Sequence, residues 1–335
     1  MTEQMTRVAV VRRPNGMPVL DDFEVKQEPI PTDLPPDHIL IRADSLSVDA
    51  FIRTTLDEAG LHDMTPLGGT VTALGVGEVI ASSSDTYKPG DWVAGPVLAQ
   101  THALMPAMAF QPIAPANNLP PSTFLGVLGL TTGITAWVGM VTIGDIRATD
   151  TVVVSGAAGA VGTVACQIAK ARGANVIGIA GGPEKCGFLT DTLGLYGAID
   201  YKNEDIDARL KELAPEGVNL FFDNVGGEML DTVLDNLAVE GRVSICGAIS
   251  QYDDLNDVRG PKLYLRLAER NATMRGFTVN HYPQVFADAA EELTRLFHDG
   301  QMHLPEHVVD GVENFPQALL TLLTGGHTGK MLVKP

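Results

Sequence analysis

TVVVSGAAGAVGTVACQIAKARG, residues 151–173, decides how the chain is read. Thr151–Ser155 is a short, fully apolar run suited to a strand buried on both faces. Residues 156–162 form a glycine-rich turn with G-x-x-G-x-x-G spacing. Val161, Val164, Ala165, Ile168 and Ala169 then recur at i, i+3, i+4, i+7 and i+8, the stripe of an amphipathic helix, and Gly173 closes it. Glycines here let the backbone turn sharply and approach a pyrophosphate, while the helix N-terminus offers N–H groups and a partial positive charge. The spacing differs from the commoner G-x-G-x-x-G, so the strand–turn–helix context carries the reading rather than the bare pattern.

Downstream the rhythm repeats. Asn175–Ala180 is the next strand, and residues 183–193 read as a helix opened by Pro183 and closed by Gly194. Residues 198–201 are extended, 205–213 helical, Val218–Asp223 a buried strand, 226–237 a helix and 241–246 a further strand. Strands alternating with helices imply βαβ units on a doubly wound parallel sheet. Upstream, residues 7–11, 38–43, 71–80 and 92–94 read as short strands. Gly75 and Gly77 inside an apolar run suggest bulges or tight bends, and Lys88-Pro89-Gly90-Asp91 a turn. The expectation is an α/β chain of two domains: a small barrel-like β domain over residues 1–124, completed by a helix and strand within 300–335, around a dinucleotide-binding domain over 125–299.

Composition excludes several classes. With 41 acidic and 23 basic residues the net charge is −18, which disfavours nucleic acid and anionic membrane surfaces as partners. Cys166, Cys186 and Cys246 are odd in number and widely spaced, as expected of reduced thiols in a cytoplasmic protein. The N-terminus lacks the apolar core of a signal peptide. Residues 92–144 contain no Asp, Glu, Lys or Arg, but five glycines and four threonines in 125–144 favour a helix and loops buried between domains over a membrane span. No metal site is evident: His303 and His307 flank Pro305, and no cysteine lies in the first domain to ligate a catalytic zinc.

Cofactor choice turns on the end of the second strand. An acidic residue there would bind ribose hydroxyls, but the strand ends Ala180-Gly181-Gly182-Pro183, with Lys185 beside Glu184. Small residues leave room for an extra phosphate and Lys185 supplies charge, which favours NADP(H); NAD returns if Glu184 faces the ribose.

The runs AAGAVGTVACQIAK (157–170), GGPEKCGFL (181–189), IDYK (199–202), FDNVGGE (222–228) and CGAISQY (246–252), with SVDAFIR (47–53) and GKMLVKP (329–335), resemble the zinc-independent medium-chain dehydrogenase/reductase superfamily. The likeness spans nearly the whole chain and is greatest to prostaglandin reductases, leukotriene-type dehydrogenases, alkenal double-bond reductases and curcumin-reductase-like enzymes. The resemblance implies a GroES-like β-barrel catalytic domain with a Rossmann domain, a homodimer, and NADPH as hydride donor to the β-carbon of an α,β-unsaturated ketone or aldehyde. It places Gly159, Ala160, Val161 and Gly162 at the pyrophosphate, Lys185 and Tyr201 at the adenosine phosphate, and Asn224 near the ribose and nicotinamide. It places Cys246, Gly247, Ala248, Ile249 and Ser250, with Phe277, Thr278 and Val279, along the nicotinamide side. Two departures stand out: Phe51 replaces the family's tyrosine, and His327 replaces an asparagine at a cofactor or substrate contact.

Hydride addition to an enone drives charge onto the carbonyl oxygen as an enolate, which a hydrogen-bond donor stabilises. The family motif assigns that donor to Tyr252, alone or with a ribose hydroxyl of the cofactor. The uncharged stretch before residue 144 suits an apolar wall, with Met105, Met108 and Phe110 as candidates beside Phe51. A quinone reductase, and an NADPH-binding protein without significant turnover, are the competing readings.

Overall fold

The computed structural model describes residues 3–58, 60, 62–116 and 119–335, which divide into two compact units. The first takes in the chain through Gly126, Asp253–Asn256 and Glu306–Pro335; the second holds Val127–Tyr252 and Asp257–Pro305.

The second unit is built on a six-stranded, all-parallel sheet. Across the sheet the strands run Gly197–Asp200, Asn175–Ala180, Thr151–Ser155, Val218–Asp223, Leu237–Ile245, Thr273–Gly276. Numbered in chain order that is 3-2-1-4-5-6, with the reversal between Thr151–Ser155 and Val218–Asp223, where doubly wound sheets bind dinucleotides. One face packs Ala160–Ala171, Phe286–His298 and the helical stretch 130–143 around Val152, Val154, Leu220 and Phe222. The other packs Ile206–Leu213 and Gly227–Asp235 around Val153, Ile177 and Phe221.

The uncharged stretch ends in that helical segment. It winds as Leu130–Ile134, Thr135–Trp137 and Val138–Ile143, with wide π-type turns on either side of a short α turn. Its buried residues join the second unit's own core. No described helix is long and apolar enough to cross a membrane. The helix read over 183–193 splits in the same way, α over Pro183–Gly187 and π-type over Phe188–Thr192. The strand read from residue 241 begins at Leu237, because Glu240 takes a left-handed turn (φ 62°) and the pairing register shifts there, masking the strand's first half.

The first unit is β-rich. Seven strands form its main sheet, and Gln4–Val10 pairs antiparallel with Phe23–Pro29 as a separate ribbon. His38–Ser47 pairs with Gly75–Ser82, His102–Pro106 and the C-terminal Lys330–Lys334, so the tail contributes a strand to this sheet. Of the irregularities expected at Gly75 and Gly77, one register shift falls beside Gly77, between Ala43 and Ser45 of the partner strand; the other lies opposite Val79 and Ala81, and Gly75 pairs with Leu46 without a shift. Gly77 itself is needed for close approach, since a Cβ there would lie 2.4 Å from the Arg42 carbonyl oxygen. A buried ion pair ties the tail to the loop after His38–Ser47: Lys330 Nζ lies 2.7 Å from Asp49 Oδ1, and Ser47 Oγ donates to the other carboxylate oxygen.

Candidate cofactor and active site

The glycine turn is sterically closed to larger residues. Gly156 sits at φ +58°, and a Cβ on Gly162 would fall 2.2 Å from the Gly156 carbonyl oxygen and 2.8 Å from Ala157 Cα. Gly159 caps the twelve-residue helix Ala160–Ala171 with no side-chain hydrogen bond. The leading amides at Ala160, Val161 and Gly162 therefore have no side-chain acceptor and are open to an anion.

The ends of the second and third strands form a cationic corner. Parallel pairing sets Asp200 beside Ala180, which brings the residues after each strand together. A Cβ on Gly181 would touch the Tyr201 ring and Lys202 Cε, each at 2.9 Å. Burial and the neighbouring Lys202 charge hold Lys185 below the usual lysine range. Asp200 is taken up by the turn itself. Its carboxylate accepts from Asn203 and from the Gly182 and Lys202 amides, bonds that hold its pKa low and shape the turn. Glu184 is exposed. Like charges drawn together around a glycine turn fit the monoester phosphate that distinguishes NADP(H).

Across the switch point, the fourth and fifth strands carry the loops holding Asn224 and Tyr252. Asn224 donates through its side chain to the Ser155 carbonyl oxygen at 2.7 Å, and its amide donates to Ser155 Oγ at 2.8 Å. The Asp223 carbonyl accepts from the Cys246 and Gly247 amides, and Ile249 N–H donates to the Asn224 carbonyl. Ser250 Oγ donates to the Val225 carbonyl. These bonds lock residues 246–250 onto the 224–225 turn. Tyr252 then folds back so that its hydroxyl accepts from Ala248 N–H at 3.4 Å. Burial pushes its phenol above the usual tyrosine range, so it stays protonated and able to donate. Burial and the Asp223 charge push the Cys246 thiol up to about 12, so it is no thiolate nucleophile.

Elsewhere in this unit, Phe277 packs its ring over Gly139, where a Cβ would lie 2.6 Å from it. Thr278 is exposed and Val279 half-buried against the core. In the first unit, the Phe51 ring tilts against His62 at 5.2 Å between centroids, and Thr54 Oγ1 bonds His62 Nδ1. Met105 is half-buried in the strand His102–Pro106. Met108 is 93% exposed, whereas Phe110 is buried over Gly95 with its carbonyl accepting from Tyr87. Met108 and Phe110 share a depression of about 340 Å³ with Pro36, Tyr87 and Pro106; Met105 does not line it. His327 is half-buried before the C-terminal strand.

Sequence reasoning missed Lys202, Ser155 and Asp223. Lys202 stood inside the quoted IDYK run, and the expected parallel pairing of its strand with Asn175–Ala180 was the available signal. Among the described residues, no group of three or more His, Cys, Asp or Glu is placed to hold a metal ion.

Residues 160–295 match the family described as zinc-binding dehydrogenase, and residues 6–113 match the N-terminal domain of oxidoreductase. The chain is 32% identical over 337 residues to the NADPH-dependent curcumin reductase of Escherichia coli, covering 98% of this chain and 96% of that protein. It is 34% identical over 324 residues to prostaglandin reductase 1 of Bos taurus, covering 95% of each. Its fold superposes on CurA in complex with NADPH from Vibrio vulnificus with a TM-score of 0.92, at 33% identity and 98% coverage of both chains.

Proposed function

The chain belongs to the zinc-independent medium-chain dehydrogenase/reductase family, and from that premise we propose that it reduces the carbon–carbon double bond of α,β-unsaturated ketones or aldehydes. It is an oxidoreductase, and NADP(H) is its cofactor. The cofactor, when bound, supplies the hydride.

The protein's own part follows from the geometry. The open amides at Ala160, Val161 and Gly162 receive the pyrophosphate, with Gly159 as the cap whose own N–H closes the turn onto the Gly156 carbonyl, and Lys185, Lys202 and Tyr201 hold the ribose phosphate. The observation that carries the reaction is the orientation of Tyr252. Its oxygen accepts from Ala248 N–H, which leaves its own proton free to donate. A substrate carbonyl placed against that proton has a donor ready as hydride arrives at the β-carbon. The π electrons then move onto the carbonyl oxygen, and protonation of the α-carbon completes the saturated product.

We extend the reading to a cytoplasmic homodimer. Thr273–Gly276 is an edge strand exposed along its length, and such edges are normally covered.

The test is NADPH oxidation across alkenals, cyclic enones and quinones, repeated with NADH, with products identified by mass and NMR. Saturated carbonyl products formed with NADPH are expected. Allylic alcohols, turnover of quinones alone, or binding without turnover would each overturn the reading. A single peak at the monomer mass in sedimentation would overturn the dimer.

A further inference from the structure

Asp223 is a carboxylate with no exposure to solvent, and the chemistry above makes no use of it. It ends the strand Val218–Asp223, across the switch point from Ser155. Every described hydrogen bond to its side chain comes from a neutral group: Ser155 Oγ at 2.8 Å, the Val225 amide at 2.9 Å, and the Gly226 amide at 3.0 and 3.1 Å. Burial raises the Asp223 carboxyl above the usual carboxylate range, while these three donors, two of them amides that precede the helix Gly227–Asp235, pull it back toward the ionised form. Among the described residues no cation pairs with it. The nearby Cys246 thiol is neutral, so the ionised Asp223 carboxylate would be an uncompensated negative charge in this corner.

Its position gives that charge a use. In a 3-2-1-4-5-6 sheet the two nucleotide halves lie on opposite sides of the switch point. Lys185 and Lys202, at the ends of the second and third strands, mark the adenosine half. The nicotinamide half then falls beside the fourth and fifth strands, where Asp223 lies. Its neighbour Asn224 reaches back to the glycine turn, with Cβ 3.6 Å from where a Cβ on Gly156 would stand. The oxidised nicotinamide ring carries a positive charge and the reduced ring carries none.

We propose that Asp223 favours the oxidised, cationic nicotinamide over the reduced one and so makes the bound cofactor a stronger hydride donor. The proposal rests on the NADP(H) reading above. The charge acts on the cofactor equilibrium through space, while the same carboxylate positions the Asn224 turn.

The test measures dissociation constants for NADP+ and NADPH separately, by titration of the full-length protein without substrate. In Asp223→Asn the NADP+ constant is expected to rise about tenfold more than the NADPH constant, the scale of one unit charge in a partly buried setting. That ratio corresponds to a rise of about 30 mV in the potential of the bound two-electron couple. Ser155→Ala removes a donor and leaves the charge, so both constants shift together. Asp223→Ser, which keeps a small acceptor for the two amides, replaces the asparagine variant if that one does not fold. Equal loss of both cofactor forms on removing the charge overturns the proposal and leaves the NADP(H) reading intact. A ratio change in Ser155→Ala as large as in Asp223→Asn also overturns it. A wild-type protein that binds neither form overturns both.

Discussion

A Cβ on Gly162 would stand 2.2 Å from the carbonyl oxygen of Gly156, so the two ends of the glycine turn touch backbone to backbone. No side-chain rotation relieves that contact, because both partners are main chain.

Gly162→Ala must therefore displace the turn. It is expected to cost about 1–3 kcal/mol of stability, the range for overpacking a close contact. It should also weaken NADPH binding, because the amides proposed to receive the pyrophosphate move with the turn. Thermal denaturation with and without NADPH checks both effects: the midpoint falls, and the increment added by NADPH shrinks. An unchanged increment would separate the turn from the cofactor.

The cationic corner is the proposed source of the cofactor preference. Lys185→Ala is expected to raise the KM for NADPH about tenfold, and Lys202→Ala, on a more exposed side chain, about three- to tenfold. Neither should alter the KM for NADH, which lacks the extra phosphate. Parallel kinetics with the two cofactors measure this, and equal losses for both would remove the phosphate assignment.

The lowered Lys185 pKa has a pH signature. A lysine whose pKa is depressed is charged below that pKa and neutral above it. NADPH affinity should thus fall as pH rises through a value below the ordinary lysine range. Lys202→Met takes away the repelling charge, so the Lys185 pKa moves up and the fall shifts to higher pH. Titration of NADPH binding between neutral and alkaline pH in both proteins tests the direction of that shift.

Tyr252→Phe is expected to lower kcat on an enone about 10²-fold, the scale for losing one donor to a developing oxyanion, with the KM for NADPH little changed. Because burial raises the phenol's pKa, the wild-type rate should not decline through the usual tyrosine range. A kcat equal to wild type would assign the donor elsewhere.

The Lys330–Asp49 pair is fully enclosed on the lysine side. Lys330→Met leaves the carboxylate buried with its cation gone, and is expected to cost about 3–5 kcal/mol. The double variant Lys330→Met with Asp49→Asn should recover part of that loss. Urea denaturation of the three proteins checks it. Equal midpoints for wild type and Lys330→Met would show that the tail is held by its strand pairing alone.

Much of the second unit was legible from local pattern. Thr151–Ser155, Asn175–Ala180 and Val218–Asp223 have the bounds read from their apolar runs, because strands covered on both faces are near-continuously apolar, with Asn219 the one polar residue inside the three. Exposed strands were not legible. Phe23–Pro29 and Glu306–Asp310 alternate with charge and sit at edges, so their pairing, not their composition, makes them strands. The π-type turns in residues 130–143 have no periodic signature that separates them from an α-helix.

By itself the sequence determined the order of the buried strands and their helices from Thr151 to Ile245, the glycine turn, and the segments that carry Lys185, Asn224 and Tyr252, because each depends on neighbours within a few residues. Tertiary structure alone decided that Lys202 stands beside the Gly181 turn, that Ser155 meets Asp223 across 68 residues, and that the Tyr252 hydroxyl is held by Ala248 N–H. The first two arise from parallel strand pairing, and the third from the 246–250 loop docking on the 224–225 turn. Both are set by burial of distant surfaces, which no local stretch of chain encodes.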